Sequence, residues 1–184
     1  MINAMLANIV MPYLMPDISS AFPDSWRSAT LSYLVLDLLT DFFLYFGHRL
    51  SHENEWIWTN IHSVHHQVET PTPVATGWTD NLNTIMTVTL PTLAAAIIAK
   101  PHPLVFSWYT FCSISHLVVN HSGLENNFVN AITLRMLPFR VSVRHHDEHH
   151  KYSNYGNNAK NYGEFWTVWD IIFSTHRKSL GSLG

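Results

Sequence analysis

Three apolar runs punctuate the chain. The first, Ala29 to Leu50 ("ATLSYLVLDLLTDFFLYFGHRL"), carries two acids, Asp37 and Asp41. The second and third, Asn81 to Ala99 and Pro101 to Leu124, contain no Asp, Glu, Lys or Arg. A helix needs roughly 20 apolar residues to cross a bilayer, so each run is just sufficient. Only "AKPHP" (99–103) separates the last two, which predicts a tight helical hairpin with Pro91 as a kink in its first arm. Acids in a lipid-exposed helix are costly, so Asp37 and Asp41 are expected to face the protein interior or a functional site. A buried helix of a soluble bundle reads the same way, and a mean hydropathy of only +0.02 keeps that alternative open. Membrane embedding is the preferred reading, because the polar last third of the chain lowers the average.

The basic residues suggest an orientation. Arg135, Arg140, Arg144, Lys151, Lys160, Arg177 and Lys178 follow the hairpin, and Arg49 closes the first run. By the positive-inside tendency these regions are expected on the cytoplasmic face, with Lys100 at the far tip as the one dissent. The N-terminal "MINAMLANIVMPYLMPDISS" lacks the basic start of a signal peptide. It reads either as an interfacial segment broken by Pro12 and Pro16 or as the remnant of a longer membrane region. The final "KSLGSLG" reads as a frayed end. One domain is expected over 1–184, with an apolar leader at 1–28 and a core at 29–175.

The polar positions are dominated by histidine. Thirteen occur, in a chain with only 12% charged residues, about half the usual share. They cluster as His48 and His52; His62, His65 and His66; His116 and His121; and His146, His149 and His150 with His145 alongside. Spacings of three and four place imidazoles on one helix face, about 5–6 Å apart at Cβ, close enough to share a metal or serve two neighbouring ones. An isolated buried histidine is more often a hydrogen-bonded core residue, and His102 and His176 are read that way. Eight or more packed together without metal would be desolvated with little to satisfy them. Ten are too many for one ion and about right for two. In chain order, every cluster borders the same end of the apolar runs.

Other chemistries are disfavoured. A net charge of -3 gives no reason to expect nucleic acid. The single Cys112 excludes an intrachain disulfide, a CxxC zinc site and a cysteine-ligated iron–sulfur cluster.

These motifs resemble the fatty acid hydroxylase/sterol desaturase superfamily of membrane di-iron enzymes. The resemblance runs from about Asp41 to Thr175. It rests on "DFFLYFGHRLSH" (D-x3-Y-x2-HR-x2-H), "HSVHH", "HSG" at 121–123, "HHDEHH", two "NYG" triplets and "WDIIFST". Ser174 replaces a usual glycine, and Asn120 stands at a position where some members carry a ligand histidine. The resemblance implies an all-α integral membrane helical bundle with a histidine-rich cap holding a dinuclear site, the site facing the cytoplasm. It implies two iron ions, with zinc an alternative in purified protein, and O2 as co-substrate. The activity implied is hydroxylation or desaturation of an unactivated C–H bond of a lipid such as a sterol, fatty acyl chain or sphingoid base. No flavin, haem or ferredoxin module is visible, so an external electron donor of cytochrome b5, ferredoxin or reductase type is expected.

The expected ligands are His48, His52, His62, His65, His66, His116, His121, His146, His149 and His150. Each ligand imidazole needs an acceptor for its other ring N–H. Asp41, Asp147 and Asp170 are candidates, although Asp41 serves equally well as a tether to a neighbouring helix. An unbroken helix through 116–121 would aim His116 and Asn120 inward and turn His121 aside. A helix ending near Asn120, with Gly123 allowing the change of direction, would bring His121 back. The second geometry is favoured. The rival from another class is a histidine-rich metal-binding or metal-transport protein, which should carry ligands within its crossings; here most flank them. A degenerate member without turnover is a further alternative.

Overall fold

The computed structural model describes residues 22–177 apart from 70, 71, 125 and 157. Of the N-terminal segment expected at 1–28, residues 1–21 lie outside the described residues, as does the frayed end at 178–184, while 26–28 already belong to the first helix. No strand occurs among the described residues, and one isolated antiparallel bridge joins Arg140 to Trp166.

Helix α1 (Trp26–Glu53) starts at Ser25, whose side chain accepts the Ser28 N–H, and stops at Asn54, where the backbone turns extended. Its 28 residues span about 42 Å, enough to cross a bilayer. The inner face carries Asp37, Asp41, His48 and His52, all buried, while Leu31, Val35, Phe46 and Leu50 are exposed. Polar groups inside and apolar groups outside are the reverse of a water-soluble surface helix.

Helix α2 (Asn81–Ala99) begins at Asp80, whose carboxylate accepts the Leu82 N–H, and is likewise long and apolar enough to cross. It widens into a π-helical turn at Ile85–Thr89, directly before Pro91. Proline has no N–H to donate and crowds the carbonyl four residues back, so the wide turn absorbs the strain expected there as a kink. Against this turn α1 presents Gly47, where an added Cβ would lie 2.8 Å from the Met86 carbonyl oxygen. Lys100, left-handed at φ 43°, reverses the chain, and His102 caps helix α3 (Pro103–Asn120) by accepting the Leu104 N–H. The chain reverses at the expected tip, but the arms pack on α1 rather than tightly on each other, and among the described residues only α1 and α2 are long and apolar enough to cross a bilayer. The return arm is the more polar one, with Ser113, Ser115, His116 and Asn120.

Leu36, Ala95, Ala96 and Tyr109 form a core where α1, α2 and α3 meet near the hairpin tip. Outside it, Leu90, Ile97, Ile98, Leu104, Trp108, Phe111 and Ile114 are about half exposed, an apolar belt suited to lipid rather than water.

The short helix α4 (Asn127–Ile132) runs back along α3, with the Ile132 carbonyl at Cys112, while α5 (Val143–Tyr152) and α6 (Val168–Ile172) cover the other end. A buried ion pair between Arg140 and Asp37 docks this cover on α1. Trp166 Nε1 donates to the same carboxylate at 2.8 Å, and Arg140 Nη2 donates to the Thr133 carbonyl. Arg140, counted above as a loop charge, is therefore an internal one. Its sequence neighbours gave no sign that Asp37 would claim it.

Candidate metal centre

α1 ends with His48 and His52 one turn apart on its inner face. The chain turns at Asn54, whose side chain caps a new helical turn, and a π-helical turn at Trp58–His62 then aims His62 back at them. His65 and His66 follow in a 3-10 turn. α3 stops at Asn120, so His121 leaves the helical path with φ -89° and ψ 0°, and Gly123 follows at φ 68°. α5, capped by the Ser142 side chain on the His145 N–H, supplies His146, His149 and His150.

The imidazoles gather into two groups. His48, His52, His62, His66 and His149 form one, and His65, His121, His146 and His150 form the other; within each, the candidate ligand atoms lie within 4.8 Å of one another. Residues four apart share a group (48 with 52, 62 with 66, 146 with 150), while His65 and His149 cross to the opposite one.

The rings are held from behind. Nδ1 lies 2.9 Å from the Tyr162 carbonyl in His48, 3.0 Å from Asn154 in His52 and 2.7 Å from Lys160 in His149. His62 faces Asn83 Oδ1 at 2.7 Å, His65 the Trp78 carbonyl at 3.2 Å and His121 the Leu117 carbonyl at 2.8 Å. A carbonyl only accepts, so this network assigns the proton to Nδ1 and leaves a lone pair on Nε2. Yet the Nε2 atoms converge: His52 on His62 at 3.0 Å, His66 on His149 at 3.2 Å, His121 on His146 at 3.0 Å and on His65 at 3.3 Å.

Burial also holds His62, His66, His146 and His149 far below the usual imidazole range, and His65 down to about 3, so neutral rings dominate at pH 7. Facing lone pairs repel. A divalent cation in each group, bound by neutral Nε2 atoms, removes the conflict, and the residues present fit one.

A family model for fatty acid hydroxylases matches residues 33–175, most of the chain and all of both histidine groups. The chain belongs to the fatty acid hydroxylase family. Among curated members, it is 27% identical to methylsterol monooxygenase 2-1 of Arabidopsis thaliana over 86% of its own length and 60% of that protein's. With methylsterol monooxygenase 1 of Rattus norvegicus it shares 30% identity over 75% of its length and 44% of that protein's. A very-long-chain aldehyde decarbonylase of Oryza sativa is 25% identical over 78% of the chain and 54% of that protein. The chain thus spans about half the length of these relatives. No solved structure matches it.

Within this family site, five expected residues are placed differently from the sequence reading. His116, fully buried, lies outside both groups; its ring packs edge-on against Phe165 at 5.0 Å. The helix face it shares with Asn120 is aimed at the turn 162–166 rather than at either histidine group. Asn120 is engaged elsewhere: its Nδ2 donates to the backbone carbonyl and to Oε2 of Glu164, and its Oδ1 accepts from Arg135. Asp41 touches no ligand ring and accepts the N–H groups of Glu164, Phe165 and Trp166. Asp147 is partly exposed, and its Oδ1 has no hydrogen-bond partner. Asp170 accepts from Tyr162 N, Gly163 N and Thr175, and lies 3.3 Å from His145 Nε2.

The residue the sequence reading passed over is Glu164. It is 6% exposed, with Oε1 3.3 Å from His146 Nδ1 and 3.8 Å from His48 Nδ1. Burial, with Asp41 and Asp170 nearby, pushes it up to about 8, against the hydrogen bond from Asn120 and the charge of Arg135. The available signal was an acid between "NYG" and "WD" in a chain poor in charge.

Proposed function

We propose that the chain is an O2-dependent membrane oxidoreductase that hydroxylates or desaturates an unactivated C–H bond of a lipid, with one iron ion in each histidine group. The observation that carries this reading is the pair of converging, buried, neutral imidazole groups beside a narrow cavity. That cavity, about 80 Å³, is walled by Leu44, Val88 and Leu117 and by Thr84, Thr87 and Glu164, with His48, His62, His65 and His121 at its inner end. Its volume is roughly that of two or three waters, enough for a methyl group or a short stretch of methylene chain and too small for a bulky polar headgroup. Thr87 donates to the Asn83 carbonyl and Thr84 to the Asp80 carbonyl, so these two hydroxyls are already spent on α2.

Iron suits an all-imidazole site, as zinc and copper do, and would supply the oxidising power that no side chain possesses. The protein's own part is to orient. Carbonyls from the 154–162 stretch hold three of the imidazoles in the first group, and the apolar wall excludes water from the C–H bond to be broken. Leu44 and Val88 belong to helices with lipid-suited outer faces, which favours a substrate entering from the bilayer. Arg144, Lys151, Lys160 and Arg177 lie at the histidine end, and the positive-inside tendency then favours the cytoplasmic face, where an external electron donor would dock.

The test uses the full chain, loaded anaerobically with ferrous iron and given a chemical reductant, a membrane lipid extract and isotopically labelled O2. The expected result is a lipid alcohol carrying the label, or an alkene, by mass spectrometry. Two bound metals with no oxidised lipid across sterol, fatty acyl and sphingoid substrates would overturn the enzyme reading in favour of a metal-binding role.

A further inference from the structure

Glu164 stands where the two histidine groups meet, and every polar atom it carries is engaged or faced. Its N–H is held by Asp41 and its carbonyl by Asn120. Oε2 accepts from Asn120 Nδ2 at 3.0 Å, and Asn120 is itself held by Arg135 at 2.9 Å. Oε1 is left to face His146 of the second group and His48 of the first. His146 Nδ1, like Nδ1 of His66 and His150, makes no hydrogen bond, and Glu164 Oε1 is the acid oxygen 3.3 Å from it, whereas His62, His65, His121 and His149 each have an acceptor of their own.

We propose that Glu164 is the positioning residue that joins the two groups, one carboxylate oxygen orienting His146 and facing His48, so that each group responds to the other's occupancy. The proposal rests on the reading that both groups bind metal. The chemistry explains why an acid is needed. Both oxygens face N–H groups, Nδ1–H of His146 and Nδ2–H of Asn120, and only a carboxylate accepts at both; cations held in the two groups would keep Glu164 ionised against the burial that raises it. A glutamine must turn its NH2 toward one of them, setting donor against donor whichever way it flips. Aspartate is one methylene shorter and does not span the gap.

The same logic supplies a rescue. With Glu164→Gln alone, one contact is lost. Adding Asn120→Asp lets the new amide donate to the introduced carboxylate and turn its oxygen to His146, at the cost of the hydrogen bond that Asn120 gives the backbone carbonyl of Glu164, so the rescue is partial. The single negative charge stays in the pocket, beside Arg135.

The full chain in detergent is loaded with cobalt(II) alone, whose visible spectrum reports the ligand geometry of each group. Helix content and thermal unfolding are recorded on the metal-free proteins. The wild type should bind two ions. Glu164→Gln should keep its helix content, show an altered cobalt spectrum and lose both ions to a chelator about 10–100-fold faster. Glu164→Gln with Asn120→Asp should return both readouts toward wild type. An unchanged spectrum and release rate in Glu164→Gln would overturn the proposal. So would faster release of one ion only, since the coupling would then be absent. If Glu164→Gln fails to fold, the double variant decides: failure to restore folding and cobalt binding together overturns it. A wild type that binds fewer than two ions would instead overturn the metal reading itself.

Discussion

The carboxylates of Asp41 and Asp170 divide five successive backbone amides between them. Asp170 accepts from Tyr162 and Gly163, and Asp41 from Glu164, Phe165 and Trp166, at 2.8–3.0 Å. The turn so held presents the Tyr162 carbonyl to His48 and the Glu164 side chain to both groups. Two acids that look like ligand-orienting groups in the sequence therefore act through a backbone.

Asp41→Asn puts an NH2 group where an acceptor oxygen meets one or two of those amides. Hydrogen bonds to a charged acceptor contribute about 1.5–3 kcal/mol each, so a stability loss of about 2–4 kcal/mol is expected in chemical unfolding. Metal release should also quicken, because His48 loses a fixed carbonyl. Unchanged release with lowered stability would mean that the turn does not control the ring.

Gly163→Ala should be more damaging than its size suggests. An added Cβ would lie 2.3 Å from the Trp166 carbonyl oxygen and 3.0 Å from Asp170 Oδ2, so the turn must open. The expected outcome is loss of folded protein or of both metals, read by size-exclusion yield and elemental analysis. By contrast, Gly77→Ala meets nothing within 4 Å and should behave as wild type.

Elemental analysis should find two metals per chain in protein prepared without chelator. His66→Ala removes a ligand from the first group and His150→Ala one from the second. Each should lower the content toward one and abolish turnover while leaving membrane insertion intact, since neither lies in an apolar crossing. A reproducible wild-type value of one would remove the dinuclear assignment.

His116 and His121 should now separate cleanly. His121→Ala should deplete the second group. His116→Ala should retain both metals and cost about 2–4 kcal/mol, as expected when a buried ring is deleted from a packed site. Depletion by His116→Ala with unchanged stability would restore it to the ligand set. His102→Ala, at the hairpin tip, should keep both metals and lose at most about 1 kcal/mol of capping.

What the sequence made legible was periodic or local. Apolar runs of helical length located α1, α2 and α3, and the i, i+4 histidine pairs marked faces that enter one group together. The helix stop at Asn120 was also readable, because the apolar run ends there and a glycine follows. The long-range pairings were not. Nothing near Glu164 in sequence says that Asn120 will hold it, and nothing near Asp41 says that it will hold amides far downstream. His116 shared an expected inward face with Asn120, and that face does exist; it meets the turn 162–166, whose location no local pattern encodes. The crossing of His65 and His149 into the opposite groups depends on how the turn after Trp58 and α5 are set against each other.

The placement of the orienting carbonyls has a consequence for biosynthesis. His48, His52 and His62 leave the ribosome early, but the carbonyls that orient His48 and His52 belong to Tyr162 and Asn154. The second group needs His146 and His150 as well as His65 and His121. A chain made from its N-terminus therefore inserts its apolar helices before either metal pocket can be finished. If both groups bind metal, its capture is then among the last events of maturation, since a nascent chain that ends before Tyr162 carries all nine histidines but lacks the carbonyl held by His48 and the acid that faces His146.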